Sequence, residues 1–290
     1  MTDDTLDNAY QFCLQLAQQH YENFPTASRL LARPQRRATA AIYAFARRAD
    51  DIADEGNMPP ATRHVQLDVM AEKLSQLQTG IIPDDPVFIA LADTIERYRL
   101  PFTPFEKLLH AFRMDIDNRR FATFAELAAY CDRSANPIGE LVLRLHDNWN
   151  AETAQYSNQI CTALQLINFS QDLDSDFHQR GRIYIPTDEM QEFAIDETAF
   201  AQHLRSNNFS RLIHFQLLRA QELLLAGLPL LAHCRGRLHF ILKLTVVSAL
   251  CLLDKLQTRQ DVFSRPTLRT SDIARITIRS LLFQPRKATC

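Results

Sequence analysis

Two short stretches of this chain carry carboxylates at spacings that suit cation chemistry. The first is Tyr43-Ala44-Phe45-Ala46-Arg47-Arg48-Ala49-Asp50-Asp51-Ile52-Ala53-Asp54; the second is Gln165-Leu166-Ile167-Asn168-Phe169-Ser170-Gln171-Asp172-Leu173-Asp174-Ser175-Asp176. On a helix turning 100° per residue, Asp54 stands about 40° from Asp50, Tyr43 about 20° and Arg47 about 60°. In the second stretch Asp176 stands about 40° from Asp172, Gln165 about 20° and Asn168 about −40°. Carboxylates four residues apart on a helix repel by a few tenths of a kcal/mol. Two helices that both accept this repulsion at the ends of apolar segments are expected to hold cations. Oxygen-only ligands without His or Cys point to Mg²⁺.

A calcium loop is the competing reading of Asp172-x-Asp174-x-Asp176, but it needs Gly at its sixth position and Glu at its twelfth. Phe177 and Ile183 stand there. A solvated acidic face is the other alternative, and the second stripe weighs against it. Two stripes facing each other across a helical bundle would let Mg²⁺ ions bridge carboxylates to a substrate diphosphate. That arrangement neutralises the charge that develops as a carbon–oxygen bond ionises, leaving a carbocation. Arg47 and Arg182 are placed to clamp the diphosphate. Phe45, Phe121, Phe124, Phe169, Tyr43 and Tyr130 are candidates for an apolar, aromatic cavity, and of these the tyrosines stand out from ordinary core packing.

These stripes need long helices to carry them, and the rest of the chain supplies helices. Six glycines in 290 residues, with long runs of Ala, Leu, Gln and Arg, predict an all-α protein. With 46% hydrophobic residues there is enough apolar surface for a large core, and residues 1–290 are expected to form a single all-helical domain. Helices are predicted over 4–20, from Pro34 to Asp54, over 60–78, 86–99 and 104–118. A break at Asn23-Phe24-Pro25 separates the first two. Thr123 and Glu126 form a capping box for the next helix. Ser134-Ala135-Asn136-Pro137-Ile138-Gly139 interrupts that helical run, freeing backbone groups to face a cavity. One helix is expected over 151–179, ending at Gly181, with Arg182-Ile183-Tyr184-Ile185-Pro186 extended after it. Short helices follow over 187–192 and 197–206, long apolar ones over 209–233 and 236–257, and a last one over Ser271 to Leu282.

Charge and cysteine usage bound the setting. Lys and Arg number 32 against 34 Asp and Glu, a formal charge of −2, so no overall basic field argues for nucleic acid. Cys13, Cys131, Cys161, Cys234, Cys251 and Cys290 show no CxxC spacing and are expected to be reduced thiols. The acidic N-terminus has no signal-like apolar core. The apolar stretch Leu238 to Leu253 falls short of the ~20 residues of a membrane helix. A soluble, cytoplasmic protein without a C-terminal anchor is expected.

With these residues in view, the pair YAFARRADDIAD and QLINFSQDLDSDFHQRGRIYIP resembles the two aspartate-rich signatures of the squalene and phytoene synthase family. The resemblance runs from about Asn23 to about Leu256. It implies an all-α isoprenoid-synthase bundle around a central cavity and Mg²⁺-dependent lyase or transferase chemistry on prenyl diphosphates. Carried over by position, Asp50, Asp51 and Asp54 match the first metal motif, and Asn168, Asp172 and Asp176 the second. Tyr43, Arg47, Gln165, Arg182 and Tyr184 match positions around the diphosphates, and Tyr130 with Gly139 matches the cavity helix. Ser28 and Arg29 fall where the family has a mobile N-terminal segment.

Asn23-Phe24-Pro25 replaces the usual Ser-Phe pair, and Ser134-Ala135-Asn136-Pro137 the usual Val-Ala-Gly. These departures are similar to the bacterial hopanoid-pathway branch, the hydroxysqualene synthases. The implied reaction ionises presqualene diphosphate and captures water, with Asn136 suited to a site that admits one water and Tyr130 to steadying the cation. The alternatives are condensation of two farnesyl diphosphates to presqualene diphosphate or squalene, a phytoene-type synthase, or a non-catalytic lipid-binding or assembly relative. NADPH is not expected. Because such substrates and products are amphiphilic, transient contact with the inner membrane surface and with enzymes before and after in the pathway is expected, with Arg33, Arg36 and Arg37 available for it.

Overall fold

The computed structural model describes residues 3–19 and 30–283. The Asn23-Phe24-Pro25 break, Ser28, Arg29 and Cys290 lie outside the described residues. Every regular element among the described residues is a helix, as the composition predicts. In chain order they are α1 (Asp3–Gln19), α2 (Arg33–Asp54), α3 (Pro60–Gln78), α4 (Pro86–Tyr98), α5 (Thr103–Ile116), α6 (Phe124–Ser134), α7 (Asn136–Leu145), α8 (Ala151–Gln171), α9 (Leu173–Arg180), α10 (Thr187–Glu192), α11 (Glu197–Ala201), α12 (Asn207–Ala226), α13 (Leu230–His233), α14 (Gly236–Thr258) and α15 (Thr270–Leu282). The chain divides into two compact units. One takes the chain to Asp117 together with Pro137–Trp149; the other takes Asn118–Asn136 and everything from Asn150.

The first unit is built on α2. Pro34 sits in the first turn, where its missing N–H goes unmissed. Ala38, Ala40, Ala41, Ala44, Ala49 and Ala53 are all buried, so one face is nearly smooth and α1, α4 and α5 pack close against it. Phe45 fills the centre with no exposed surface, edge-on to Phe88 at 5.9 Å and to Phe105 at 5.4 Å. It is a core residue. At the far end Arg63 closes the helix, donating from Nη1 to the Ile52 carbonyl at 2.6 Å and from Nη2 to the Gly56 carbonyl at 2.7 Å. The first meets a carbonyl that the helix leaves open, the second one just past its end, and together they place a cation at the helix's negative end.

Asp85 ties α2, α3 and α4 together. It caps α4 by accepting from the Val87 N–H, and it receives Arg48 Nη1 at 2.6 Å and Lys73 Nζ at 2.7 Å. Burial alone would raise its pKa, but the hydrogen bonds from Arg48 and Lys73 outweigh it and hold the carboxyl below its ordinary value. Asp85→Asn keeps the cap and removes the charge. It is expected to cost about 2 kcal/mol at pH 7, less than a fully buried pair because both cations are partly exposed. The stabilisation of a carboxylate with a depressed pKa is present above its unfolded pKa and lost as pH falls through the folded one. Urea unfolding should therefore show the gap between wild type and variant at neutral pH and its closure in strong acid.

The second unit is organised on α8, which packs on α12, α6, α13 and α14. Asn150 caps it with a reciprocal bond between its own N–H and Thr153 Oγ1. Buried Glu189 accepts from Arg219 at 2.6 Å and Gln216 at 2.6 Å, fastening α10 to α12. Phe124 lies under the same Arg219, 4.0 Å from its guanidinium, and has a structural partner there.

Four predicted elements differ from the structure. The expected 151–179 helix is divided at Asp172, whose ψ of 15° leaves the helical range. The expected 209–233 helix ends at Ala226, because Gly227 and Pro229 turn the chain before α13. The 104–118 helix stops at Ile116, before Asn118 at φ 49°. The 197–206 helix stops at Ala201, since His203 takes a left-handed φ of 47°. The α14 helix is 23 residues long and α12–α13 spans 27, so both are long and apolar enough to cross a membrane by length and composition. Here Val246, Val247, Leu252, Leu253 and Leu256 of α14 are buried within the second unit. Arg37, expected among free basic residues, is bound to Asp7 at 2.6 Å and lies 4.1 Å over the Tyr10 ring.

The described cysteines are free thiols, as expected. Burial pushes Cys13 and Cys131 up to about 12 and Cys234 up to about 11, which makes them unreactive.

Candidate active site

The acidic end of α2 lies opposite its alanine face. One arginine serves three carboxylates there: Arg47 reaches Asp50 at 3.3 Å, Asp51 at 2.6 Å and Glu55 at 2.7 Å. Burial works against the Arg47 charge, but Asp50 and Asp51 outweigh it and raise its pKa above the ordinary value. Asp50 is pushed up to about 7, first by burial and then by the charges of Asp54, Asp51 and Asp115, against the opposing pull of Arg47. Its side chain still exposes 38% of its surface, so protein crowds it while one side stays open to solvent. Asp115, on α5, is itself buried. The donor set suits a divalent cation of the Mg²⁺ type. Every donor is an oxygen, and Asp54, Asp51 and Asp115 crowd negative charge around a carboxyl that burial already disfavours ionising and that Arg47 offsets only in part.

The second acidic set straddles the joint between α8 and α9. Helical hydrogen bonds continue on both sides of the break, from Asp172 N–H to the Asn168 carbonyl at 2.8 Å and from Asp176 N–H to the Asp172 carbonyl at 2.8 Å. Arg265, from the segment after α14, makes a short ion pair with Asp172 through Nε. Beside it, Gln171 donates to the Pro266 carbonyl at 2.6 Å. Arg180 stands 3.5 Å from Asp176. The α9 helix ends at Gly181 in the left-handed region at φ 67°, and the Arg182 N–H turns back to the Asp176 carbonyl at 2.9 Å. Glycine adopts that backbone without strain, so the turn sets the start of the segment that carries Arg182 and Tyr184. Arg182 is buried.

That segment brings four aromatic rings into one group. Phe169 and Tyr184 stack at 3.8 Å and 8°. Tyr130 lies 5.7 Å from Tyr184 and 6.2 Å from Phe169, and Phe121 lies 5.2 Å from Tyr130. The faces of such rings attract cations. Asn136 opens α7 and is buried, its Oδ1 accepting from Thr162 Oγ1 at 3.2 Å.

The sequence model described as squalene/phytoene synthase matches residues 17–272. The chain belongs to this family. Among squalene/phytoene synthase relatives, the phytoene synthase of Mycobacterium tuberculosis is 34% identical over 236 residues, covering 80% of this chain and 76% of the relative. The hydroxysqualene synthase of Zymomonas mobilis is 37% identical over 180 residues, covering 61% of this chain and 58% of the relative. The crystal structure of the squalene synthase HpnC from Alicyclobacillus acidocaldarius is similar with a TM-score of 0.82 at 31% identity, covering 91% of this chain and 98% of that one. The resemblance read from the two signatures is borne out. This squalene/phytoene synthase is a prenyl-diphosphate-processing enzyme with the all-α isoprenoid-synthase fold.

Among the residues singled out in sequence, Arg47, Asp50 and Asp51 form one charged group on α2, with the Asp54 charge acting on Asp50. Tyr43 lies on the same helix, one turn before Arg47. Asn168, Asp172, Asp176 and Arg182 are linked through the backbone of the α8–α9 joint and its closing turn. Gln165 lies on α8 one turn before Asn168 and Phe169, and Gly139 lies on α7. Tyr130 and Tyr184 join Phe121 and Phe169 in the aromatic group. Phe45 and Phe124 do not.

Asp115 and Arg265 escaped the sequence reading. Asp115 carried a signal: it stands where the buried Leu108, Ala111 face of α5 calls for an apolar side chain. Arg265 carried none, being 93 residues from its partner.

Proposed function

We propose that this synthase converts presqualene diphosphate to hydroxysqualene. The observation that supports metal-assisted ionisation is the crowding of Asp50, Asp51 and Asp54 on α2 around a single arginine. Asp50, Asp51 and Asp54, and separately Asn168, Asp172 and Asp176, would hold Mg²⁺. Bound there, the metal would offset the charge gathering on the departing diphosphate. In this reading Arg47 and Tyr43, and separately Gln165, Arg182 and Tyr184, would bind diphosphate, and Gly139 would leave room beside the chain. The carbon–oxygen bond breaks with its electron pair going to diphosphate. The cyclopropyl cation opens with Tyr130 and its neighbouring rings steadying the charge. Water then bonds to carbon and releases a proton. The balance needs no reductant, so NADPH is not part of the reading. A cytoplasmic enzyme that touches the inner membrane surface to exchange substrate and product, and that meets the enzymes before and after it, accords with these insoluble compounds.

Similarity to hydroxysqualene synthase favours this product. The larger share of the chain matched by phytoene synthase favours condensation of two prenyl diphosphates as the second reading. Incubating the purified protein with Mg²⁺ and either presqualene diphosphate or farnesyl diphosphate, with and without NADPH, separates them. Hydroxysqualene from presqualene diphosphate without NADPH supports the first; consumption of farnesyl diphosphate to a condensed product supports the second.

Asn136 is assigned to the water that ends the reaction. Asn136→Ala is expected to shift product from alcohol to hydrocarbon by about tenfold, a difference of about 1.4 kcal/mol between two exits from one cation. An unchanged alcohol fraction in the chromatogram would remove Asn136 from that role.

A further inference from the structure

Three side chains of the second unit, none of them used in the chemistry above, converge on one point. Asp174 and His178 lie four residues apart on α9, and His203 comes from the turn after α11. The Asp174 Oδ1 atom lies 2.5 Å from His203 Nε2 and 3.6 Å from His178 Nε2. One ligand atom from each of the three lies within 4.8 Å of the other two. The imidazoles are stacked at 4.5 Å and 17°, so their in-plane lone pairs run side by side, and one ring turns about its Cβ–Cγ bond when both take the same ion. Phe263 packs edge-on against His203 at 4.8 Å and Phe177 against His178 at 5.1 Å. The His203 backbone is held by its N–H bond to the Phe200 carbonyl at 3.1 Å. The side chains are 37%, 39% and 44% exposed for His178, His203 and Asp174, so an ion reaches them from solvent without unfolding.

We propose that Asp174, His178 and His203 bind one transition-metal ion of the Zn²⁺ type, a site chemically unlike the oxygen-only Mg²⁺ ligands. Two imidazole nitrogens and a carboxylate oxygen are three of the four ligands of an open tetrahedral zinc site, leaving one position for water. Imidazole favours zinc and its neighbours over Mg²⁺ and Ca²⁺, which take oxygen. Ligand atoms about 2.0–2.1 Å from a tetrahedral ion lie about 3.4 Å from each other. The His178 pair already has that separation. The His203 pair opens by about 0.9 Å when an ion at such ligand distances replaces the hydrogen bond. An ion there joins α9 to the turn after α11 and fixes the short helix that carries Asp174 between Asp172 and Asp176.

The test uses full-length protein stripped of transition metals and kept in excess Mg²⁺, titrated with Co²⁺ as a visible probe and then with Zn²⁺ in competition. The expected result is one equivalent of Co²⁺ with the intense absorption of a tetrahedral site, displaced by Zn²⁺, together with a Zn²⁺-dependent rise in melting temperature. His178→Ala and His203→Asn are each expected to weaken binding by about 100-fold or more while keeping Mg²⁺-dependent turnover, which shows that they fold. Asp174→Asn provides a third variant should either histidine change disturb packing. Weak octahedral absorption, no binding, or binding undiminished in all folded variants would overturn the proposal.

Discussion

Asp50→Asn is expected to lower prenyl diphosphate turnover about a thousandfold, equivalent to about 4 kcal/mol of lost charge stabilisation at the leaving group. The same change is expected to raise stability above neutral pH. Burial, with the Asp54 charge beside it, pushes the Asp50 carboxyl up to about 7, well above the ordinary carboxylate range. A carboxyl shifted upward contributes stability that is present below its unfolded pKa and is lost as pH rises through the folded value. At pH 8 the wild-type protein without metal therefore carries a charge that asparagine removes; at pH 3.5 the two are nearly alike. Melting curves at both pH values, with and without Mg²⁺, check this together with turnover. Mg²⁺ should stabilise wild type more at pH 8 than at pH 6, because the cation competes with a proton for the same oxygen, and should lose much of that effect in the variant. A variant that is inactive yet no more stable at pH 8 would show that the crowding at Asp50 is not the strain described here.

Gly227→Ala is the second change with a large expected effect, and it acts on packing. A Cβ at Gly227 would stand 2.5 Å from Ile160 Cγ1, 2.8 Å from the Tyr156 carbonyl oxygen and 3.2 Å from the Ile160 backbone nitrogen. Ile160 can turn its side chain, but Tyr156 and Ile160 also present α8 backbone, which moves only as a helix. Overpacking of this kind is expected to cost about 3 kcal/mol, with a fall in denaturation midpoint at constant m-value. The glycine is there for close approach. Its φ of −80° is open to any residue, so backbone strain does not enter. Because α8 leads directly into Asn168 and Asp172, turnover should fall as well, and a backbone shift of α8 in the variant's structure would account for both losses.

Much of this site was legible because single helices carried it. Tyr43, Arg47, Asp50 and Asp54 lie on one continuous helix, where a fixed turn per residue suffices to place them on one stripe. The same rule fails by one residue at Asp172. Its departure from helical ψ leaves the neighbouring hydrogen bonds intact, so no proline, glycine or lost cap marks the joint beforehand. Gly227-Leu228-Pro229 did carry a signal, and the apolar run on both sides concealed it. Phe121, Tyr130 and Phe169 stand among the aromatic candidates in sequence, but only three dimensions group them with Tyr184 and set Phe45 and Phe124 apart. His178 and His203 are likewise unremarkable until Asp174 lies between them.

The contacts from Gln171 to the Pro266 carbonyl and from Asp172 to Arg265 join chain segments more than ninety residues apart. Closing so long a loop is entropically costly, and the contacts that reward it form only after the intervening helices have settled. During synthesis, α8 emerges with its acidic end exposed and Asp172 without this partner, whereas the Arg47 group on α2 is complete as soon as its own helix forms. The ion pairs of the two acidic ends are therefore made at different times: those of Arg47 by local order, that of Asp172 only when the segment beyond α14 arrives.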